Sequence, residues 1–175
     1  MFQIGEYVVY GSTGVCKVVD IGPMNLPGVD KNRKYYTLEP AYSKGSKVFT
    51  PVDNNKNVIR PILTEDEANQ LIEEIDELEN IWIKDEKNRE LQYREVLQTC
   101  DCREAFRIIK TLYSRKMSRI AEGKKVTASD QNYLHIAEDR VYGELAIALS
   151  RPKEKMAEYI TECIAKKEQA LVTME

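Results

Sequence analysis

The 175-residue sequence predicts an α+β chain of two consecutive domains, a small SH3- or Tudor-like β-barrel followed by an all-α bundle of about five helices. Two observations predict it. Residues 1–60 carry short runs rich in β-branched and aromatic residues, separated by turn-forming segments. At Pro61 the spacing of apolar residues changes from two to three or four. The length leaves room for two small domains, and the expected division is 1–62 and 63–175.

In the first part, YVVY, VCKVVDI, KYYTLEP and SKVFTPV read as strands, broken by GSTG, the long GPMNLPGVDKN segment and YSKG. Val15, Lys17, Val19 and Ile21 alternate with Cys16, Val18 and Asp20. Both sets are partly apolar, as a small sheet curling on itself requires. Five strands in about sixty residues suit a small barrel or a strongly bent sheet with a thin core, which presents an edge to partners.

The second part opens with Thr64 and Glu67 in capping-box spacing, and Asp66 adds a carboxylate where the helix dipole favours one. Ala68, Leu71, Ile72, Ile75 and Leu78 then mark the apolar face of a helix whose other face is acidic. Further helices are expected from about Lys84 to Leu97, Arg103 to Ala121, Ser129 to Leu149 and Pro152 to Leu171. Gly123 is the stop between the second and third of these, Thr127 or Ser129 the following cap, and Pro152 a first-turn residue. On the Arg103–Ala121 helix, Phe106, Ile109, Leu112, Tyr113, Met117 and Ile120 fall at helical spacing, which places Tyr113 and Met117 in the core.

Composition narrows the function. With 42% hydrophobic and 31% charged residues the chain can bury a core. No apolar run approaches the roughly 18 residues that span a bilayer, and MFQIGEYVVYG lacks the basic and apolar regions of a signal peptide. A cytoplasmic protein is expected. Cys16, Cys100, Cys102 and Cys163 do not make spaced metal-ligand pairs, and the lone His135 cannot complete a set. They read as ordinary reduced cysteines, with a redox pair at Cys100 and Cys102 as the other reading. The chain has no P-loop, GxSxG or HExxH, and the acid pair Glu73/Glu77 lies on a solvated helical face. A non-enzymatic protein with no cofactor, metal, small-molecule substrate or membrane partner is expected.

Charge is informative only when the chain is divided. Residues 1–64 are net +3, residues 65–82 net −8 and residues 83–175 net +2, although the whole is −3. Residues 103–125 hold eight bases against two acids. Such a segment is compatible with nucleic acid, while the overall balance argues against strong unaided DNA binding. Arg115, Lys116 and Arg119 fall within about one helical turn, and Lys124 and Lys125 follow in a loop. Phosphate contact and a merely solvated basic face are both open readings of these residues. The sole tryptophan, Trp82, lies in ENIWIKDEKNRE, where the acidic run ends. One reading makes it a core anchor. The other leaves it half-exposed at a helix boundary, able to wedge at a base step or stack on an unpaired base.

The opening FQIGEYVVYGSTGVCKVVDI resembles the start of the CarD/CdnL family of bacterial transcription regulators, through Phe2, Gly5, Glu6, Val8, Val9, Tyr10 and Gly14. The resemblance continues through KYYTLEP, VFTPV, the tryptophan before a basic helix, and AEDRVYGELAIAL. The first part is also similar to the RNA-polymerase-interaction domain of the transcription-repair coupling factor, with no helicase motif after it. The resemblance implies a regulator that docks its Tudor-like domain on the RNA polymerase β subunit. Its helical domain would touch the promoter minor groove, without sequence specificity, at the upstream edge of the bubble and stabilise the open complex. Trp82 would be the wedge; Arg115 matches a basic position of the family and Arg89 does so more loosely, while Lys116, Arg119, Lys124 and Lys125 are DNA-binding candidates by their charge and spacing. Met24, Lys34, Lys47 and Phe49 would be the polymerase-binding candidates. Met24 and Phe49 stand where the family has basic residues, which implies apolar contact and edge pairing in place of salt bridges. Asp85 and Glu86 stand where some members have arginines, and the linking helix is about a turn longer. The alternative is a protein–protein adaptor with no DNA contact, its acidic helix binding the second partner.

Overall fold

The computed structural model describes residues 1–173, which form two compact units, Met1–Ile62 and the remainder from Leu63 onward. The first holds strands β1 (Tyr7–Tyr10), β2 (Gly14–Pro23), β3 (Lys34–Pro40), β4 (Val48–Pro51) and β5 (Ile59–Pro61). They make one antiparallel sheet in the order β4-β3-β2-β1-β5. β5 is the strand that no sequence run announced. It has three residues, ends in proline, and exists through its pairing of Ile59 and Pro61 with Tyr10 and Val8.

Alternation settles which side is packed. Val8, Tyr10, Cys16, Val18, Tyr36 and Leu38 form the core, with Phe2, Ile21, Val48, Val52 and Ile59 against it. Burial pushes the Cys16 thiol up to about 11, so it behaves as a small apolar residue. The β2–β3 register slips between Val18 and Asp20, a bulge that bends a strand long enough to pair with both neighbours. Gly14, at φ 83°, makes the β1–β2 turn in the left-handed region where a side chain would be strained. The N-terminal residues are tied in by Phe2 N–H donating to the Tyr36 hydroxyl (2.9 Å) and Gly5 N–H to the Val18 carbonyl (2.7 Å).

The second unit contains α1 (Glu65–Glu73), α2 (Arg89–Gln98), α3 (Cys102–Ala121), α4 (Ala128–Ala148) and α5 (Met156–Val172). The α1 capping box is complete: Glu67 N–H donates to Thr64 Oγ1 (3.2 Å) and Thr64 N–H to Glu67 Oε2 (2.8 Å). Asp101 and Thr127 cap α3 and α4 with their side chains, which accept from Glu104 N–H and Asp130 N–H, and Gly123 follows α3 at φ 70°. The core joins Leu71, Ile72, Tyr93, Leu97, Phe106, Ile108, Leu112, Val141, Leu145 and Met156. No described helix is long and apolar enough to cross a membrane.

Three expectations are corrected. The first helix ends at Glu73; after a 3-10 turn at Ile75–Glu77 the chain is extended by Leu78, yet Ile75 and Leu78 still reach the core. The second helix begins at Arg89, after a 3-10 turn at Glu86–Asn88, and not at Lys84. Tyr113 and Met117 are half-exposed, as is Ile120. Spacing identified a stripe, but over the last turns of α3 the half-buried positions belong to Arg115, Lys116 and Arg119.

Thr64→Ala removes the side-chain half of the α1 capping box and should cost about 1 kcal/mol. Chemical denaturation of the full chain checks this, and an unchanged midpoint would show that α1 is held by packing alone.

Candidate nucleic-acid interface

Residues 78–85 cross the surface of the helical unit without helix or strand, so their backbone groups need partners from elsewhere. Helices α2 and α3 supply them. Lys110 Nζ donates to the carbonyls of Ile75, Asp76 and Leu78 (3.2, 2.9 and 2.6 Å), and Arg107 Nε to that of Glu79 (3.0 Å). Ile81 N–H donates to Thr111 Oγ1 (2.8 Å), whose own hydroxyl donates to the Arg107 carbonyl (2.7 Å). The Gln92 amide brackets the tryptophan: Nε2 donates to the Trp82 carbonyl, and Oε1 accepts from Lys84 N–H (3.2 Å).

Leu78 and Ile81 are buried, Ile83 packs on the core, and Trp82 between them is 81% exposed. Leaving a large aromatic in water forgoes on the order of 2 kcal/mol of burial. The backbone that holds it out is fastened on both sides. Trp82 is therefore no core anchor in this fold; it is a preplaced apolar projection.

Behind it lies a charged cluster. Asp130, in the first turn of α4, is 3% exposed and accepts from Arg89 Nε (3.1 Å) and Arg115 Nε (3.5 Å). Arg89 also donates to the Glu86 carbonyl (3.1 Å) and to Thr127 Oγ1 (3.5 Å). The outer edge of Arg115 is taken by Glu86, with Nη1 to Oε1 at 2.9 Å and Nη2 to Oε2 at 3.0 Å. That two-pronged hydrogen bond holds the Glu86 carboxyl below its ordinary range. Tyr93, fully buried beside this cluster, has its phenol pushed up to about 12, chiefly by burial.

The other basic candidates are dispersed in role. Lys116 lies over the Tyr113 ring (5.6 Å), Arg119 Nε donates to the Lys125 carbonyl (2.8 Å), and Lys124 pairs with Glu122 (2.7 Å). The structure thus brings Arg89 and Arg115 together on one carboxylate. It joins Arg119 to the Lys125 backbone, and uses Lys116 and Lys124 in local pairs. Thr111, contacted by Ile81, and Arg115 are four residues apart on α3, about 6 Å along the axis. The tryptophan segment and the Arg115 fork accordingly share one stretch of that helix.

Sequence reading missed Gln92, Thr111, Lys110 and Asp130. Their signal is weak: polar residues at helical positions look solvated until a neighbouring backbone is laid across them. Thr127 and Asp130 carry the spacing of a cap, which predicts an exposed carboxylate rather than a buried one.

In the N-terminal unit, Met24 just follows β2 and is half-buried, and Lys34, opposite Pro23, opens β3 at the same end of the ladder. Lys47 immediately precedes β4 and is exposed. Phe49, opposite Thr37 on that outer strand, is 44% exposed. Among the described residues no group of three or more His, Cys, Asp or Glu could hold a metal ion. All four cysteines are thiols, none in a disulfide.

Residues 2–63 match the family described as the CarD-like/TRCF RID domain, an RNA-polymerase-interacting domain. The matched span covers the whole five-stranded unit. No curated protein matches the chain.

Asp130→Ala strips the shared carboxylate from Arg89 and Arg115 and should destabilise the helical unit by roughly 3 kcal/mol, the low end for a broken buried pair because Glu86 still neutralises Arg115. Denaturant unfolding followed by helical circular dichroism measures it. A loss below about 0.5 kcal/mol, the range of ordinary surface substitutions, would mean that the cluster does not hold this corner together.

Proposed function

We propose that the chain is a non-enzymatic transcription regulator of the CarD/CdnL kind. Its N-terminal unit docks on the RNA polymerase β subunit, and its helical unit contacts promoter DNA at the upstream edge of the bubble. The single observation that carries the DNA contact is Trp82, 81% exposed on a backbone fastened by Gln92, Thr111, Arg107 and Lys110. An indole held this way can enter a widened minor groove or cap an unstacked base step without reorganising first. The polymerase half is supported by the family match over residues 2–63. Phe49 on an outer strand supports apolar, edge-on docking there. Both partners are components of the cytoplasm.

The mechanism is tethered and needs little intrinsic DNA affinity. Docking on polymerase raises the local concentration of the helical unit at the promoter. A wedge that favours the unwound state by about 1.4 kcal/mol shifts the closed-to-open equilibrium tenfold. No sequence-specific base reading is required. Most of the basic candidates are already engaged with protein groups, which fits a contact that relies on docking rather than on charge.

One observation favours a second reading. The half-exposed stripe Tyr113, Met117 and Ile120 on α3 is apolar surface of the kind that binds another protein, and supports the adaptor function.

The lifetime of competitor-resistant open complexes of the cognate polymerase separates the two. The native chain should lengthen it severalfold and Trp82→Ala should abolish the gain. Equal lengthening by both would remove Trp82 from the mechanism. No effect from the native chain, with polymerase binding confirmed, would favour the adaptor.

A further inference from the structure

We propose that Glu86 is a resident substitute for a DNA phosphate on Arg115, and that its displacement sets how weakly the helical unit binds DNA when it is not docked. The inference rests on the DNA contact proposed above and concerns the regulation of that same site.

The Arg115 guanidinium has two edges, and the structure uses them differently. Its Nε faces Asp130, which is buried and also holds Arg89. That contact orients the group from its buried side. Its Nη1 and Nη2 form a fork occupied by both Glu86 oxygens at 2.9 and 3.0 Å. Planar forks of this kind are the groups that recognise phosphate with two parallel hydrogen bonds. Glu86 is a carboxylate in the place where two phosphate oxygens would fit.

Glu86 is also placed to leave. Its side chain is 65% exposed, and it is the first residue of a one-turn 3-10 helix. That turn is capped by Asp85, through Lys87 N–H to Oδ1 at 3.0 Å and Asn88 Nδ2 to Oδ2 at 2.8 Å, so the turn does not depend on the Glu86 side chain. The Glu86 side of the pair is open to water, so the polyanionic DNA backbone, brought close by docking, can compete for the fork.

The position along the chain completes the argument. Trp82 precedes Glu86 by four residues, and the Trp82 segment rests on Thr111, one turn from Arg115 on α3. Entry of the indole into DNA would bring a flanking phosphate to the same edge of α3. With Glu86 in place, the fork is neutralised and unaided DNA binding is weak. Once tethering supplies the local concentration, phosphate replaces the carboxylate. Glu86 thereby restricts the DNA contact to the docked protein.

The test titrates the full chain against fluorescein-labelled forked DNA, duplex upstream and unpaired downstream, by anisotropy at several salt concentrations. Glu86→Gln should tighten binding about five- to tenfold at low salt and steepen the slope of log K against log salt by about one phosphate contact, or about 0.9. Glu86→Ala should act in the same direction. Glu90→Gln makes the same charge change one turn later and should alter affinity less than twofold. Arg115→Lys keeps the charge but not the fork, and should abolish the gain from Glu86→Gln. Equal gains from Glu86→Gln and Glu90→Gln, or a gain that survives Arg115→Lys, would reduce Glu86 to general charge and overturn the proposal. In that case a Trp82→Ala loss in the same assay would leave the DNA contact itself standing. Failure of every variant, Glu86→Gln included, to bind the forked DNA would overturn the proposal alone, since the docked contact is read separately from the open-complex lifetime of native chain against Trp82→Ala.

Discussion

Everything distinctive about the helical unit depends on the fastening of residues 75–84 to α2 and α3. An extended segment outside any sheet has peptide groups with no regular partners, and leaving them unpaired at a protein surface is costly when side chains pack around them. Here one lysine takes three carbonyls and one arginine another, a threonine takes the Ile81 N–H, and a glutamine takes the Trp82 carbonyl and the Lys84 N–H. Those side chains come from the inner rows of helices that also pack the core. The tryptophan's projection is thus coupled to the fold of the whole unit, and a loosening of α2 against α3 would release it.

The same economy explains the charges. Residues 65–82 hold eight acids without a base and residues 103–125 eight bases against two acids, and both draw partners from elsewhere in the unit. Arg103 meets Glu74, Lys167 Nζ approaches Asp76 at 3.6 Å and donates to the Glu73 carbonyl at 2.6 Å, and Arg115 meets Glu86. Much of the basic segment therefore neutralises acids of its own unit. What remains for the proposed DNA contact is an aromatic projection with a modest charge contribution, a balance that would suit a docked protein.

The fold was largely legible because its signals are local. Thr64 with Glu67, Thr127 with its following turn, Gly123, and the alternation in VCKVVDI each depend on residues a few positions apart. The failures are where the deciding partner is distant. Periodicity gave the stripe of Tyr113 and Met117 but could not tell which side α4 would cover. Ile75 and Leu78 kept helical spacing past the end of the α-helix, through a 3-10 turn into extended chain, where the Lys110 amine, 32 or more residues away, takes the freed carbonyls. Arg89 and Arg115 were visible as bases, while Asp130, 41 and 15 residues from them, was not visible as their anchor. β5 needed only a partner strand, and nothing in three residues could announce it.

The central claim is that the Trp82 side chain meets nucleic acid when the chain is bound to polymerase on a promoter. The most direct measurement replaces Trp82 with a photoreactive phenylalanine analogue and irradiates the polymerase–promoter complex. The account predicts crosslinks to DNA at the upstream edge of the bubble, dependent on polymerase. Crosslinks confined to protein, with open complexes present, would contradict it.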